Sequence, residues 1–307
     1  MPKSTSVPVK KVQKVAKASK PDETVQVQKI VKTSNPDEIV QVLILGAGWT
    51  STFLIPLLEA ESIPYAATKR AGSETTIPFL FNPASTDATP YFRLPSASSV
   101  LITFPIKGIG GSRNLITLYN QTHPDIRANF IQLGSSSIWP EKTGFANRHT
   151  PPDGTIPRVM AEKELLSLGG AVLNLSGLWG GIRNPKNWIA RVGSTKEALA
   201  TKNSLHLVHG IDVSYAILAL MRGFTPGERW LLTDLRVYDW WDLANAWGGG
   251  GEKATSSSGP QPKWALELMV ERGVRSLPRS AELMGRGLDS TEFWTHFGLL
   301  PSRPLNF

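Results

Sequence analysis

Cysteine is absent from this 307-residue chain, and only five histidines are present. Without cysteine the protein has no disulfide, no thiolate nucleophile and no cysteine-ligated zinc. Five scattered histidines also argue against a histidine-based metal centre, so no metal ligand is predicted. Long apolar runs are missing as well. None approaches the roughly 18 consecutive apolar residues of a membrane-spanning helix, so no membrane partner is expected.

Arginine and aromatic residues are missing from residues 1–38, which carry eight lysines and four acids. This segment supplies half of the net charge of +8. The phrase PDETVQV at 21–27 recurs as PDEIVQV at 36–42, but only the second copy continues into an apolar strand. We therefore predict a disordered lysine-rich tail over residues 1–38. Because the rest of the chain is only mildly basic, its charge does not favour a nucleic-acid partner.

The same tail bears on localisation. It has neither the apolar centre of a secretory signal nor the arginine-rich, acid-poor composition of a mitochondrial transit peptide. The expectation is a cytoplasmic protein.

Beyond the tail, apolar stretches of strand length and helix length alternate. Strands are predicted over residues 39–45, 63–68, 99–104, 130–133 and 171–175. Helices are predicted over residues 50–61, 159–168 and 213–221. This alternation is typical of the α/β class, with a doubly wound parallel Rossmann sheet covered by helices on both faces.

The composition also predicts the domain organisation. Residues 39–222 are expected to form the Rossmann domain. Residues 223–307 are expected to form a small, mainly helical C-terminal lobe that helps to bind substrate. The sequence GGGGEKATSSSGPQPK at 248–263 predicts a flexible insertion within this lobe.

A glycine-rich phrase, GAGWTS, joins the first strand to the first helix. Gly46 permits a tight turn, and Gly48 lets the backbone approach a pyrophosphate. The helix start, with Trp49 and Thr50, presents free N–H groups to the phosphates. A third glycine would allow close helix–strand packing, and the small Ser51 stands in its place. The phrase therefore predicts a nicotinamide dinucleotide bound at this turn, with a ligand-free turn as the alternative.

The end of the second strand distinguishes NADP from NAD. An acid there would accept from the ribose 2′-hydroxyl, but the chain reads Thr68, Lys69 and Arg70. Arg70, helped by Lys69 or Thr68, can pair with a 2′-phosphate, which favours NADP and leaves NAD open. The alternative is that both cations lie on a solvated loop. Thr103 and Phe104, which end another strand, are predicted to line the nicotinamide.

Three further phrases follow in order: GSSSIW at 134–139, LSGLWG at 175–180 with RNP after it, and LVHGIDV at 207–213. With the glycine turn, they make residues 42–241 resemble the extended and atypical short-chain dehydrogenase/reductases. The chain is most similar to the atypical group related to nucleoside-diphosphate-sugar epimerases, fungal members included. The resemblance implies an NAD(P)-dependent protein with a small-molecule substrate, present as a monomer or a homodimer.

That family places a Tyr-x-x-x-Lys pair at the start of the helix after the serine turn, and a glutamate commonly follows the lysine by four residues. Glu162 matches this glutamate, which puts Arg158 at the lysine position and Gly154 at the tyrosine position. The resemblance leaves Ser136 to polarise the substrate and Arg158 to hold a ribose hydroxyl or a phosphate. His149, in the loop before Arg158, is predicted as a substitute proton donor. The alternatives are that Ser136 only caps a turn and that His149 is a surface residue.

Two functions follow from this pattern. The first is an NADP(H)-dependent oxidoreductase or sugar-nucleotide epimerase-like enzyme that lacks the Tyr-x-x-x-Lys pair. The second is a catalytically silent dinucleotide-binding sensor or scaffold. A second glycine-rich loop at residues 107–113 is either part of an anion site or a mobile loop. Tyr65 and Lys69 also spell Tyr-x-x-x-Lys, but on the second strand, where Tyr65 is expected to pack in the sheet.

Overall fold

The computed structural model describes residues 35–140, 144–248 and 259–305. The strands are β1 (Ile39–Leu45), β2 (Tyr65–Lys69), β3 (Ile77–Pro78), β4 (Ser96–Ile102), β5 (Asn129–Ser135), β6 (Gly144–Ala146), β7 (Ala171–Leu175), β8 (Gly177–Trp179), β9 (Ser204–Leu205), β10 (Leu207–His209), β11 (Arg229–Leu232), β12 (Tyr238–Asp239) and β13 (Arg286–Leu288). The helices are α1 (Ser51–Ala60), α2 (Gly111–Thr122), α3 (Pro157–Ser167), α4 (Ile189–Val192), α5 (Lys196–Ala200), α6 (Gly210–Arg222), α7 (Trp240–Trp247), α8 (Gln261–Glu271) and α9 (Thr291–His296).

Seven strands form the central sheet in the order β11-β7-β5-β4-β1-β2-β3. Every neighbouring pair in it is parallel. Side chains of β1 alternate between two cores: Val42 and Ile44 face one, and Leu43 and Leu45 face the other. Burial on both faces explains why β1 reads as a continuous apolar run. The predicted α/β Rossmann class is confirmed.

The sheet extends past residue 222, where the sequence placed the end of the Rossmann domain. β11 pairs with β7 and forms the outer strand. The short helix α9 packs against it, with the rings of Trp230 and Phe293 5.7 Å apart. The indole of Trp294 donates to the carbonyl of Thr233 at 2.9 Å. The end of the chain therefore belongs in part to the Rossmann core.

Helices α4, α5, α7 and α8 build a third core beside the sheet, centred on Trp241, Leu243 and Leu268. Residues 249–258 of the predicted flexible insertion lie outside the described residues, as does the predicted tail up to residue 34. The last three positions of the predicted insertion are helical instead, because α8 begins at Gln261. Pro262 fits its first turn, where a missing N–H costs nothing.

No helix among the described residues is long and apolar enough to cross a membrane. The same part of the chain holds no cluster of three or more histidine, aspartate or glutamate side chains arranged for a metal ion.

The start of α2, in the second glycine-rich loop, is bound by a carboxylate of the protein itself. Glu164 on α3 accepts hydrogen bonds from the backbone N–H groups of Gly110 (3.0 Å), Ser112 (3.1 Å) and Arg113 (3.2 Å). Ser112 Oγ also donates to the carbonyl of Ala161 at 2.9 Å. An internal anion thus occupies this helix start, which is one of the two that the sequence offered for a phosphate.

This arrangement predicts the effect of Glu164→Ala. The substitution leaves several N–H groups at the start of α2 without an acceptor and should lower the free energy of unfolding by about 2 kcal/mol. Chemical denaturation followed by tryptophan fluorescence measures the change. Glu74→Ala, at an exposed glutamate, is the control and should stay within about 0.5 kcal/mol of wild type. Equal effects of the two substitutions would refute the capping role.

Candidate functional site

The glycine turn between β1 and α1 is held from both sides by threonines. Gly46 has φ +96°, and a Cβ there would lie 2.7 Å from Thr103 Oγ1, so only glycine fits. The N–H of Gly46 donates to Thr68 Oγ1 at 3.0 Å. Thr103 Oγ1 donates to the carbonyl of Leu45 at 3.1 Å. The turn is therefore rigid before any ligand binds.

Gly48 has a different environment from Gly46. A Cβ at this position would meet no protein atom within 4 Å, because the residue faces open space. Helix α1 begins just after it, with no side-chain cap and no acid in its first turn. Within the described part of the chain, the backbone N–H groups of Trp49 and Thr50 have no hydrogen-bond partner. This helix start therefore retains the positive end of its dipole for an external anion.

A cavity of about 630 Å³ adjoins the turn at the carboxyl ends of β1, β2 and β4. Its lining combines glycines, aromatic rings and cations: Gly46, Ala47, Gly48, Lys69, Arg70, Phe79, Leu80, Phe81, Pro83, Thr103, Phe104, Pro105, Ile106 and Lys107. The rings of Phe81 and Phe104 are stacked, with centroids 5.5 Å apart and planes inclined by 22°. The lining residues include three cations and no acid, so the cavity suits a ligand that has a planar ring and negatively charged groups.

The structure brings six of the predicted cofactor residues together in this lining: Gly46, Gly48, Lys69, Arg70, Thr103 and Phe104. Thr68 is placed differently, because it is 1% exposed and its hydroxyl is used by the turn. Trp49 points sideways, where its indole donates to the carbonyl of Gly180 at 3.3 Å. The guanidinium of Arg183 lies 4.4 Å from the centre of its ring.

The residues predicted for catalysis lie outside this lining. Ser136 is buried in the short turn Ser136–Ile138 that follows β5. Arg158 is half-buried near the start of α3, one helical turn before Glu162 and on the same face. Its guanidinium has no hydrogen bond or ion pair within the described residues. Gly154 precedes α3 in an exposed loop. A Cβ built at Gly154 would lie 3.8 Å from Lys163 Nζ.

His149 lies at the far edge of the sheet. Its Nε2 is 2.8 Å from Glu292 Oε2 on α9. Its neighbour Arg148 donates to the carbonyl of Arg229 on β11 at 3.2 Å. β11 is four places from β1 in the sheet, about 19 Å at the usual strand spacing. The geometry therefore gives His149 a hydrogen-bonding partner in Glu292 and no contact with the glycine-turn cavity. The catalytic roles of Ser136, Arg158 and His149 stay predictions.

A buried charged network below the serine turn was not predicted. Glu162 is fully buried and is bound by the guanidinium of Arg229. Asn174 on β7 receives a hydrogen bond from Arg229 at 2.8 Å. Its amide donates to Glu162 and to the carbonyl of Ser135, at 3.1 and 3.3 Å. A Cβ at Gly134 would overlap this amide, which explains the glycine before the three serines. The polar residue Asn174 inside the apolar strand β7 was the available sequence clue.

Solved structures share this fold, although no family model matches the chain and no curated protein matches it. The dTDP-glucose 4,6-dehydratase of Bacillus anthracis, solved with NAD, superposes with a TM-score of 0.53 at 13% identity, over 86% of this chain and 92% of that one. The UDP-N-acetylglucosamine 4-epimerase of Bacillus cereus superposes with a TM-score of 0.54 at 9% identity, over 86% of this chain and 94% of that one. RMD of Pseudomonas aeruginosa, solved with NADPH, superposes with a TM-score of 0.53 at 13% identity, over 86% of this chain and 95% of that one. The chain thus has the α/β Rossmann-like fold of these epimerase and dehydratase structures.

Proposed function

We propose that this chain binds NADP(H) and acts as an oxidoreductase or a sugar-nucleotide epimerase-like enzyme without the Tyr-x-x-x-Lys pair. The observation that carries the proposal is the cavity at the glycine turn. Gly48 leaves open space where a pyrophosphate would approach, and Lys69, Arg70 and Lys107 surround it without a lining acid. An acid that would select NAD is missing from the end of β2.

The described residues fit the parts of such a cofactor. The N–H groups of Trp49 and Thr50 suit the pyrophosphate. The stacked rings of Phe81 and Phe104 suit the adenine, since both line the cavity together with Arg70. This grouping favours the adenosine half for Phe104, in place of the nicotinamide contact expected from the sequence. Arg70 suits the 2′-phosphate. When bound, the nicotinamide supplies hydride transfer to or from a small-molecule substrate.

For the enzyme, Ser136 would polarise the substrate oxygen and Arg158 would hold a ribose hydroxyl or a phosphate. Both lie on the β5 side of the glycine turn, at the carboxyl edge of the sheet, where open α/β sheets bind their ligands. Arg158 is a very poor proton donor, because a guanidinium stays protonated at any working pH. Proton transfer must therefore use Ser136, His149, a water molecule or the substrate itself.

A second candidate function is a catalytically silent sensor or scaffold that binds the dinucleotide. The position expected for the catalytic tyrosine is Gly154, and the proposed substitute His149 is bound to Glu292. Both observations favour this candidate.

Titration of the full chain with NADPH and NADH tests dinucleotide binding, which both candidate functions require. A substrate screen on the same sample, over carbonyl compounds and sugar nucleotides, then separates them by the change in nicotinamide absorbance or by product analysis. Turnover that falls in Ser136→Ala supports the enzyme. Tight nucleotide binding without turnover of any compound supports the sensor, and binding of neither nucleotide overturns both.

Arg70→Ala should weaken NADPH binding by about 1.5–3 kcal/mol and leave NADH binding unchanged, because only NADPH offers a 2′-phosphate to the guanidinium. Calorimetric titration measures both affinities. Arg127→Ala is the matched control, since this exposed arginine precedes β5 at the opposite edge of the sheet. Equal losses for the two nucleotides would remove Arg70 from the 2′-phosphate site.

A further inference from the structure

A surface outside the glycine-turn cavity combines exposed apolar side chains with cations. It is formed by the turn at residues 180–183 and by residues 300–303 near the end of the chain, and we call it the basic apolar surface. Ile182 is 92% exposed and Leu300 is 81% exposed, which places both among the most exposed large apolar residues of the described chain. Single apolar residues are common on protein surfaces, so what matters is their surroundings.

Both segments are fixed at the start of α6. A Cβ at Gly180 would overlap the imidazole of His209, the N-cap residue of α6, so the turn lies directly against that ring. Asp212, in the first turn of α6, accepts hydrogen bonds from Ser302 N at 2.9 Å and Ser302 Oγ at 2.6 Å. It also accepts from Arg303 N at 3.1 Å. Two segments that are distant in sequence therefore lie side by side at one helix start.

The turn holds Ile182 outward. The N–H of Gly180 donates to the carbonyl of Arg183 at 2.9 Å, and the N–H of Arg183 donates to the carbonyl of Gly180 at 3.0 Å. Gly180 has φ +112° and Gly181 has φ +54°, as this two-residue turn requires. Trp49 braces the turn from below, because its indole donates to the carbonyl of Gly180 and stacks against the guanidinium of Arg183. The exposure of Ile182 is thus a fixed feature of the fold.

The basic apolar surface is cationic. Three cations belong to it: Arg183, Lys186 and Arg303. None of them forms an ion pair within the described residues. Burial lowers the pKa of His209, and the positive charge of Arg303 lowers it further, so that guanidinium acts at the same helix start. Residues 180–192 contain no acid, and Asp212 is 2% exposed. The cations are therefore left for an external anion.

Charge and apolar exposure together indicate the kind of partner. A second copy of this chain would bring the same cations against one another, so the surface repels itself. The phosphates of a nucleic acid would pair with the cations but leave Ile182 and Leu300 in water. An anionic bilayer satisfies both features, because its headgroups attract arginine and lysine while apolar side chains enter the boundary of the acyl chains.

We propose that the basic apolar surface docks this protein on an anionic lipid bilayer. Ile182 and Leu300 enter the headgroup region, and the three cations pair with lipid phosphates and carboxylates. The sequence pattern excluded only a membrane-spanning helix, which this mode of binding does not need. The proposal stands apart from the proposed function and does not rest on it.

Co-sedimentation of the full chain with vesicles of phosphatidylcholine, with and without phosphatidylserine, tests the proposal. The variants are Ile182→Ser, Leu300→Ser and Arg183→Gln. Val270→Ser and Arg127→Gln are the matched controls, at exposed positions outside the surface. Thermal unfolding of each variant shows that it is folded.

We expect Ile182→Ser and Leu300→Ser each to weaken binding to the phosphatidylserine vesicles by about fivefold or more, since an apolar side chain no longer leaves water. Arg183→Gln should weaken it by about fivefold through the lost charge. The controls should change it by less than about twofold. Binding to phosphatidylcholine alone should be weaker by about tenfold or more.

The lack of cysteine allows a direct readout of docking. Ile182→Cys and Val270→Cys, each labelled with an environment-sensitive fluorophore, give one probe per molecule. Anionic vesicles should raise the emission of the probe at 182 and shift it to the blue, because that position enters the headgroup region. The probe at 270 should not respond.

Vesicle binding that is unchanged in all three variants would overturn the proposal and assign the binding to the lysine-rich residues 1–38. Equal binding to neutral and anionic vesicles would also overturn it, as would binding to neither. A single-stranded oligonucleotide is the competing ligand. If it binds where vesicles do not, and its binding falls in Arg183→Gln but not in Ile182→Ser, the surface belongs to nucleic acid instead.

Discussion

Gly48→Val should weaken binding of both NADPH and NADH by about 100-fold or more, which is about 2.7 kcal/mol, while the melting temperature stays near that of wild type. The added side chain would occupy the open space beside Gly48 and block the approach of a pyrophosphate to the backbone. Because a Cβ there meets no protein atom within 4 Å, the fold has no reason to change. Calorimetric titration and thermal unfolding of the same samples give both quantities.

Gly46→Val provides the contrast. Its Cβ would overlap Thr103, and its φ of +96° is unfavourable for any L side chain, so this variant should lose stability as well as binding. If Gly48→Val binds either nucleotide as tightly as the wild-type protein, the cofactor does not lie on this turn. A large fall in its melting temperature would show that Gly48 serves the fold instead.

The largest expected loss of stability comes from Glu162→Gln, which should lower the free energy of unfolding by about 3 kcal/mol. The amide has nearly the shape of the carboxylate but leaves the guanidinium of Arg229 buried without its counter-charge. In the same change, the side-chain N–H of Asn174 loses one of the two carboxylate oxygens of Glu162 that accept from it. Urea unfolding followed by tryptophan fluorescence measures the difference.

Glu61→Gln is the matched control. Glu61 pairs with Arg222 at 3.0 Å, but both side chains are exposed. Exposed ion pairs of this kind contribute at most about 1 kcal/mol. Similar losses in the two variants would mean that burial of the Glu162–Arg229 pair has no special energetic role.

The sequence predicted elements well where one physical rule dominates. The strand β1 was bounded correctly, because its apolar run starts after a turn-forming phrase and stops at Gly46. Strand β11 was missed. Arginine is mostly a surface residue, yet Arg229 is buried because Glu162 pairs with its charge and Asn174 accepts a hydrogen bond from it. Such pairing joins residues distant in sequence, and a local pattern does not contain it.

The site shows the same division. Lys69 and Arg70 were predicted at the cavity because they follow a strand next to the glycine turn. Phe79 and Phe81 were not, since they reach the cavity only because β3 pairs with β2. His149 is near Arg158 in sequence, but the loop that carries His149 runs to the edge strand β11, so nearness along the chain does not fix its position in the fold.

Strand β11 lies at the edge of the sheet with α9 packed against it, and this position governs the order in which the protein can fold. Phe293 and Trp294 pack in the same core as Val42 and Ile44, although they lie at opposite ends of the described chain. Contacts so distant in sequence form late, since closing the loop between them costs entropy before any burial compensates it. Until residues 291–296 arrive, one face of the growing sheet exposes Trp230 and its neighbours to solvent. Such an apolar surface is a site for aggregation or for chaperone binding during synthesis.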